Sequence, residues 1–526
     1  MTVLFLAILL VFALRREMTY LHIFQQEEYD GRRFVRWIVT RLAVDKRATA
    51  ILLILWIVQR LWHLAAMPVD WGASIALAVL TAIETDPRKK AKKPLAMTPR
   101  ANRTYSLALA LFVAAAVAVA VFAARLPLWI AAIQFIPFTL VLANLILQPF
   151  EARVQKRFWN EAHEKLLRLK PTTIGITGSF GKTSVKHILS HILGANAPTL
   201  ATPGSVNTPM GIARVVREQL GTHHRFFICE MGAYGPGSIA RLCRLAGPDL
   251  AAITAIGPAH YERFKSLEAV VRTKFELASA TVDRGGKVVL NEEILQFAYA
   301  REFYEQHKEQ FVLVGASPRC HFRIGETRQT AEGIEADVEW LGKTYCLSSH
   351  LFGRHHALNL GIAFAVACVL GVPAEDVLTA IKSAPQIAHR LEVKHEPGGQ
   401  IVIDDAYNSN PTGFANGLQI LDLLRNGTGR RILVTPGMVE LGAVHDEEHR
   451  KAGLEAGKFA DVLLAVLPGR IGTLIRAFKE ANPQGEVVEC ATFAQAQEWM
   501  RRNLKPADVV LLENDLPDLY ERKLRL

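Results

Sequence analysis

The stretch TTIGITGSFGKTSVKHILSHIL, residues 172–193, leaves a chain few folds to choose from. Its first six residues read as a buried strand, and after the glycines Val185, Ile188, Leu189, Ile192 and Leu193 recur at helical spacing. The glycines therefore lie on a strand-to-helix turn, the context that turns a glycine-rich run into a phosphate cradle. Backbone N–H groups at the helix start can face an anion, and Gly178 and Gly181 let the backbone approach it. Lys182 can reach terminal phosphates, the Thr183 hydroxyl suits Mg²⁺, and Ser179 and Ser184 complete the nucleotide-binding run. The strict G-x-x-x-x-G-K-[ST] spacing would put glycine at 176, where this chain has Ile176, so the loop is a variant.

A different pattern precedes it. The chain has 526 residues, more than one ordinary domain, and half of them are apolar but unevenly spread. Up to about residue 150 several runs are nearly free of charge; beyond it short apolar strands alternate with amphipathic segments. TYSLALALFVAAAVAVAVFAA, residues 104–124, has the length needed to cross a bilayer, and residues 127–147 make a second span. Val3–Leu14 is short, and Ala48–Ile83, interrupted by Arg60, His63, Pro68 and Asp70, reads as a helical hairpin. Arg15 and Arg16 follow the first apolar run instead of preceding it, which argues against a cleaved signal peptide. The linker 85–103 carries Arg88, Lys89, Lys90, Lys92, Lys93, Arg100 and Arg103 against one acid, Asp86, and so is expected on the cytoplasmic side. Two spans then return residue 150 to the cytoplasm. The expected location is the inner membrane, multi-pass, with the catalytic domains in the cytoplasm.

The net charge of +11 invites a nucleic-acid reading, but much of the excess flanks the apolar runs, where membrane lipid is the nearer partner and no nucleic acid is expected. Six cysteines show no C-x-x-C pair and fit buried thiols in a reducing cytosol. Glu230 ends the apolar run RFFICE, where a strand would open toward a cleft; a carboxylate there needs a metal or an ion pair. His260 closes LAAITAIGPAH at another strand end, and by itself reads as a structural histidine as readily as a ligand. His187 and His191 are spaced four apart, but Ile188 follows His187, so the H-E-x-x-H zinc arrangement is absent.

The loop form T-G-x-x-G-K-[ST] resembles the ATP loop of the Mur ligase family. ATPGSVNTPMGIA (201–213), ICEMGAYGPGSIARL (228–242), ITAIGPAHYERFKSLEAVVRTKFELA (253–278), FGRHHALNLGIAFAVA (352–367), AHRLE (388–392) and IDDAYNSNP (403–411) follow in the family's order. EMGA and DDAYNSNP are most similar to the branch that joins D-alanyl-D-alanine to a UDP-muramoyl tripeptide. The resemblance covers roughly residues 170–520. It implies an α/β fold with a P-loop central domain over 165–385 and a Rossmann-like C-terminal domain over 386–526, preceded by an α-helical transmembrane region over 1–150. It further implies ATP and Mg²⁺ as cofactors, with Thr183, Glu230, His260 and a carbamylated Lys274 as metal ligands and Lys182, Lys274 and His260 as catalytic residues. Asn359 would contact adenine, Arg390 the phosphates, and Asp405 and Tyr407 the ribose and base.

The implied reaction is ATP-dependent amide-bond formation. The γ-phosphoryl passes to a carboxylate, and an amine attacks the resulting acyl phosphate. The expected partners are a carboxylate-bearing envelope precursor and an amine, with D-alanyl-D-alanine the leading choice. A poly-γ-glutamate-type ligase and, in another class, a membrane-coupled transport ATPase remain open. Two departures from the family bear on this. Its cell-wall members begin with a soluble domain that grips the UDP sugar, and here membrane-like segments occupy that length. A Lys-Gly-Ser type motif common near the C-terminus is replaced by Glu513, Asn514 and Asp515, and His356 stands where asparagine is common.

Overall fold

The computed structural model describes residues 3–61, 69–84, 86–88, 94–122, 126–257, 266–407, 409–425, 427–439 and 441–514. Over the described residues the chain divides into two units, one up to Gln155 and one within Lys156–Asp515. The first is helical: α1 (Val3–Gln26), α2 (Gly31–Arg41), α3 (Lys46–Leu61), α4 (Val69–Ile83), α5 (Pro99–Phe122) and α6 (Leu126–Leu169). Among the described residues, two helices are long and apolar enough to cross a membrane, over Pro99–Val121 and Pro127–Leu169. The short run at Val3–Leu14 is only the first half of α1, which continues through the basic pair. The hairpin expected over 48–83 consists of α3 and α4, its Pro68 lying outside the described residues, as do Lys89, Lys90, Lys92 and Lys93 of the basic linker. Asp30 starts α2 by accepting from the N–H groups of Arg32 (2.8 Å) and Arg33 (3.1 Å), the capping that a helix N-terminus requires.

The second half of α1 is charged yet buried. Arg16 is 4% exposed and lies 2.9 Å from Asp45 and 3.2 Å from Glu84. Glu17 accepts from the Thr139 hydroxyl at 3.2 Å, and Thr19 donates to Glu84 at 2.6 Å. Phe5, Phe12, Phe24, Phe34 and Trp129 fill the space between these helices.

The second unit contains two sheets. The first is built from β1 (Thr172–Thr177), β2 (Thr199–Ala201), β3 (Phe226–Glu230), β4 (Leu250–Ile253), β5 (Lys287–Asn291), β6 (Phe311–Gly315), β7 (Phe322–Thr330), β8 (Gly333–Trp340) and β9 (Lys343–Ser349). Their order is β2-β3-β1-β4-β5-β6-β7-β8-β9, parallel up to β7, with β8 and β9 added antiparallel. The central strands are buried along nearly their whole length, which is why they read as continuous apolar runs without alternation. The second sheet comprises β10 (Glu392–His395), β11 (Ile401–Asp405), β12 (Arg431–Thr435), β13 (Val462–Val466), β14 (Glu486–Cys490) and β15 (Val509–Glu513). Its order is β10-β11-β15-β12-β13-β14, parallel except for β10.

In the first sheet the winding reverses at β1, which pairs with β3 on one side and β4 on the other. A crevice opens at such a reversal, beyond the carboxyl ends of the strands. The phosphate loop, Glu230 and Thr254 all lie there, following or ending β1, β3 and β4.

Candidate active site

The loop Gly178–Gly181 joins β1 to the helix Lys182–Gly194. Gly181 precedes that helix at φ +82°, and a Cβ there would sit 2.5 Å from Asn359 Oδ1. Conformation and close approach both require glycine. The same proximity sets Asn359, buried on the helix His355–Val369, against the loop. The segment after β4 holds the other side. The Ser179 N–H donates to Ala255 O (2.6 Å), its hydroxyl donates to Gly257 O (3.1 Å) and accepts from Gly257 N–H (3.0 Å), and the Thr254 hydroxyl donates to Phe180 O.

Lys182 reaches across this loop, donating to Gly178 O (2.6 Å) and Ser179 O (3.1 Å). Burial, aided by Arg390 and opposed by Glu230, lowers its pKa to about 8. Thr183 donates to Glu230 Oε2 at 3.1 Å, so the two oxygen donors expected for a metal are adjacent. Both are hard oxygen ligands of the kind Mg²⁺ takes, and Glu230 is only 1% exposed. Ser184 is buried at the start of the helix.

Glu230 has a second cation that the sequence reading passed over. Lys186 Nζ lies 2.9 Å from Glu230 Oε2, with both side chains 1% exposed. The signal was available: Lys186, Leu189 and Leu193 share one helix face, and a lysine on an apolar stripe needs a buried partner. Asn207 donates to the other carboxylate oxygen at 3.2 Å.

Lys274, on the helix Leu267–Val282, is 4% exposed, and its ammonium has no hydrogen-bond or ion-pair partner among the described residues. Burial, reinforced by Lys182, lowers its pKa well below the ordinary lysine value. His260 lies outside the described residues.

The second sheet supplies Arg390, Asp405 and Tyr407. The Arg390 guanidinium stacks 4.2 Å from the Tyr407 ring centroid, and the Tyr407 and Ser205 hydroxyls are hydrogen-bonded. Asp405 is buried at the end of β11 and accepts from Leu391 N–H at 3.3 Å; burial raises its pKa to about 6 against the pull of Arg390. Glu513, the register partner of Asp405, is wholly buried and accepts from the Ser409 hydroxyl. Its pKa is raised well above the ordinary value by burial and then by Asp405. Asn514 turns away to donate to Gly437 O at 2.6 Å. His356 is buried, and neither ring nitrogen has a hydrogen-bond partner among the described residues.

The charge balance is informative. The field of Arg390 acts on Lys182 and that of Lys182 on Lys274, whereas Glu230 is already matched by Lys186. Lys182, folded over its own loop carbonyls, therefore has no carboxylate partner among the described residues, a charge suited to a polyphosphate.

Residues 176–367 match the Mur ligase middle domain, and residues 389–513 match the Mur ligase, glutamate ligase domain. The chain is 28% identical over 289 residues to the UDP-N-acetylmuramoyl-tripeptide–D-alanyl-D-alanine ligase of Bacillus subtilis, covering 55% of this chain and 61% of that protein. To the ligase of the same name from Mycobacterium tuberculosis (strain CDC 1551 / Oshkosh) it is 33% identical over 368 residues, covering 65% and 70%. Its fold resembles the crystal structure of MurF ligase from Thermotoga maritima in complex with ADP, with a TM-score of 0.58, 23% identity, and coverage of 69% of this chain and 80% of that one.

Proposed function

The chain belongs to the Mur ligase family, and from that premise we propose that it joins a carboxylate to an amine at the expense of ATP, releasing ADP. The observation that carries this reading is a phosphate loop with Lys182 folded over it and with the hydrogen-bonded pair Thr183 and Glu230 beside it. Loop N–H groups and Lys182 would bind the β- and γ-phosphates, and Arg390 would approach from the closing domain. Asn359, Asp405 and Tyr407 would hold the nucleoside, while Gly178, Ser179, Gly181 and Ser184 shape the cradle. Thr183 and Glu230 would hold one Mg²⁺, which when bound supplies charge neutralisation for the transferring phosphoryl group.

Lys274 does not suit a cation as an ammonium. Its amine, buried and without a partner among the described residues, has a pKa lowered well below the ordinary lysine value by burial, which favours the neutral form. A neutral amine can add to CO₂ and release a proton, giving a carbamate whose one negative charge is shared by two oxygens. With His260 it would then hold a second Mg²⁺. Closure of the second sheet over the loop, through Ser205 and Tyr407, would exclude water from the acyl phosphate that the amine must attack.

The leading substrate pair is a muramoyl tripeptide and D-alanyl-D-alanine, as in the names of the curated relatives. The apolar helices support anchorage at the cytosolic face of the inner membrane, beside a lipid-held precursor. Detergent-solubilised protein with Mg²⁺, ATP, UDP-muramoyl tripeptide and D-alanyl-D-alanine is expected to release ADP only when both substrates are present and to form the pentapeptide by mass. ADP release confined to lipid-linked or polyglutamate acceptors would reject this substrate pair, and release needing no acceptor would reject the ligase.

A further inference from the structure

Lys186 is a buried cation on the helix that follows the phosphate loop. Its amine has two acceptors, Glu230 Oε2 at 2.9 Å and the backbone carbonyl of Gly204. Gly204 belongs to the segment 202–207, which Glu230 also grips: its N–H donates to the Thr202 hydroxyl at 3.1 Å, and its Oε1 accepts from Asn207 at 3.2 Å. Asn207 is held in turn by the Tyr234 hydroxyl at 2.8 Å. The next residue after Gly204 is Ser205, whose hydroxyl meets Tyr407 of the second sheet, the ring on which Arg390 stacks. One buried ammonium thus fixes both the carboxylate expected to hold a metal and the loop that touches the closing domain.

We infer that Lys186 is a positioning residue that couples the metal carboxylate Glu230 to the segment 202–207, and through Ser205 and Tyr407 to the closing domain. Neither acceptor alone needs a lysine. A carboxylate could be oriented by Thr183 and Asn207, and a loop carbonyl could be met by a neutral donor. A charge shared by the two makes their positions interdependent, because moving the loop withdraws the ammonium from Glu230 and frees that oxygen to swing. The inference rests on the nucleotide-binding reading above.

The test uses the full chain with ADP and Mg²⁺, and reads binding in place of turnover. In Lys186→Met, the Mg²⁺ concentration needed for half-maximal ADP affinity is expected to rise about tenfold or more, with affinity in chelator unchanged. Amide hydrogen exchange over 202–208 is expected to speed up in the same variant, and Lys186→Arg should recover part of both. If the methionine variant does not fold, Lys186→Gln, which keeps a donor but not the charge, must move the same two readouts. A folded variant whose Mg²⁺ requirement stays within about twofold and whose 202–208 exchange is unchanged overturns the inference. Wild-type protein that binds no ADP overturns the nucleotide reading as well, which separates the two failures.

Discussion

The helical unit and the phosphate-loop site both take ionisable side chains out of water, and they treat them in opposite ways. In the helical unit the buried Arg16 is closed off by Asp45 and Glu84, acids brought from two other segments of the same unit. In the loop site Lys274 is buried with no partner among the described residues, and Lys182 folds back onto its own loop carbonyls. A self-compensated cluster adds shape and specificity; an uncompensated one holds free energy in reserve for a charged ligand. Sign and pairing, more than burial, separate framework from site.

Substitutions should therefore split by cluster. Lys182→Ala removes a contact to transferring phosphate and is expected to lower acceptor-dependent ADP release by on the order of 10³-fold, with the unfolding midpoint little changed. Asp45→Ala leaves Arg16 half-compensated in a buried setting. It should cost about 3 kcal/mol in denaturant unfolding of the helical unit while ADP affinity stays at the wild-type value. Equal losses of stability in the two variants would erase the distinction.

Lys274→Met sharpens the contrast, since it should lower turnover by about 100-fold while leaving thermal stability equal or higher, a buried and unpaired amine having been removed. Retention of full activity would end the metal role given to Lys274. The smallest effect is expected at a closed pair far from the loop. Asp508 is buried and accepts from Arg430 Nη2 at 2.7 Å and from Lys505 N–H at 2.9 Å. Burial pushes its carboxyl up, but these donors outweigh it and hold the pKa below the ordinary value. An acid lowered in this way stabilises the fold above its unfolded pKa and loses that contribution as pH falls through the folded one. Asp508→Asn should then cost about 1 kcal/mol at neutral pH, with the gap to wild type closing below about pH 4.

Much of the architecture was legible because parallel strands buried on both faces leave long apolar runs, and β1, β3 and β4 each announce themselves that way. The turn chemistry of Gly178–Lys182 and the apolar lengths of α5 and α6 were equally plain. Less legible was anything made by long-range pairing. The Arg16 cluster joins residues 29 and 68 positions apart, and no local pattern predicts which acid will meet it. Lys186 was overlooked for the same reason: its acceptors, Glu230 and Gly204, lie on other elements, and only its place on an apolar stripe hinted at them. Tyr407 was expected through resemblance alone, and its meeting with Ser205 required the tertiary fold.

The strand order of the second sheet has a consequence for how the protein is made. β15, which follows the other described strands of this sheet in the chain, lies between β11 and β12, in the middle of the sheet. Until Val509–Glu513 has left the ribosome, β10 with β11 and β12 with β13 and β14 are two separate fragments with bare edges facing each other. A nascent chain can finish its helices and its first sheet well before this point, yet Asp405 and Tyr407 gain a fixed platform only with that final insertion. Ribosome stalling or proteolytic clipping ahead of Val509 would thus yield a chain with a complete phosphate loop and no closing half, a natural substrate for quality-control proteases.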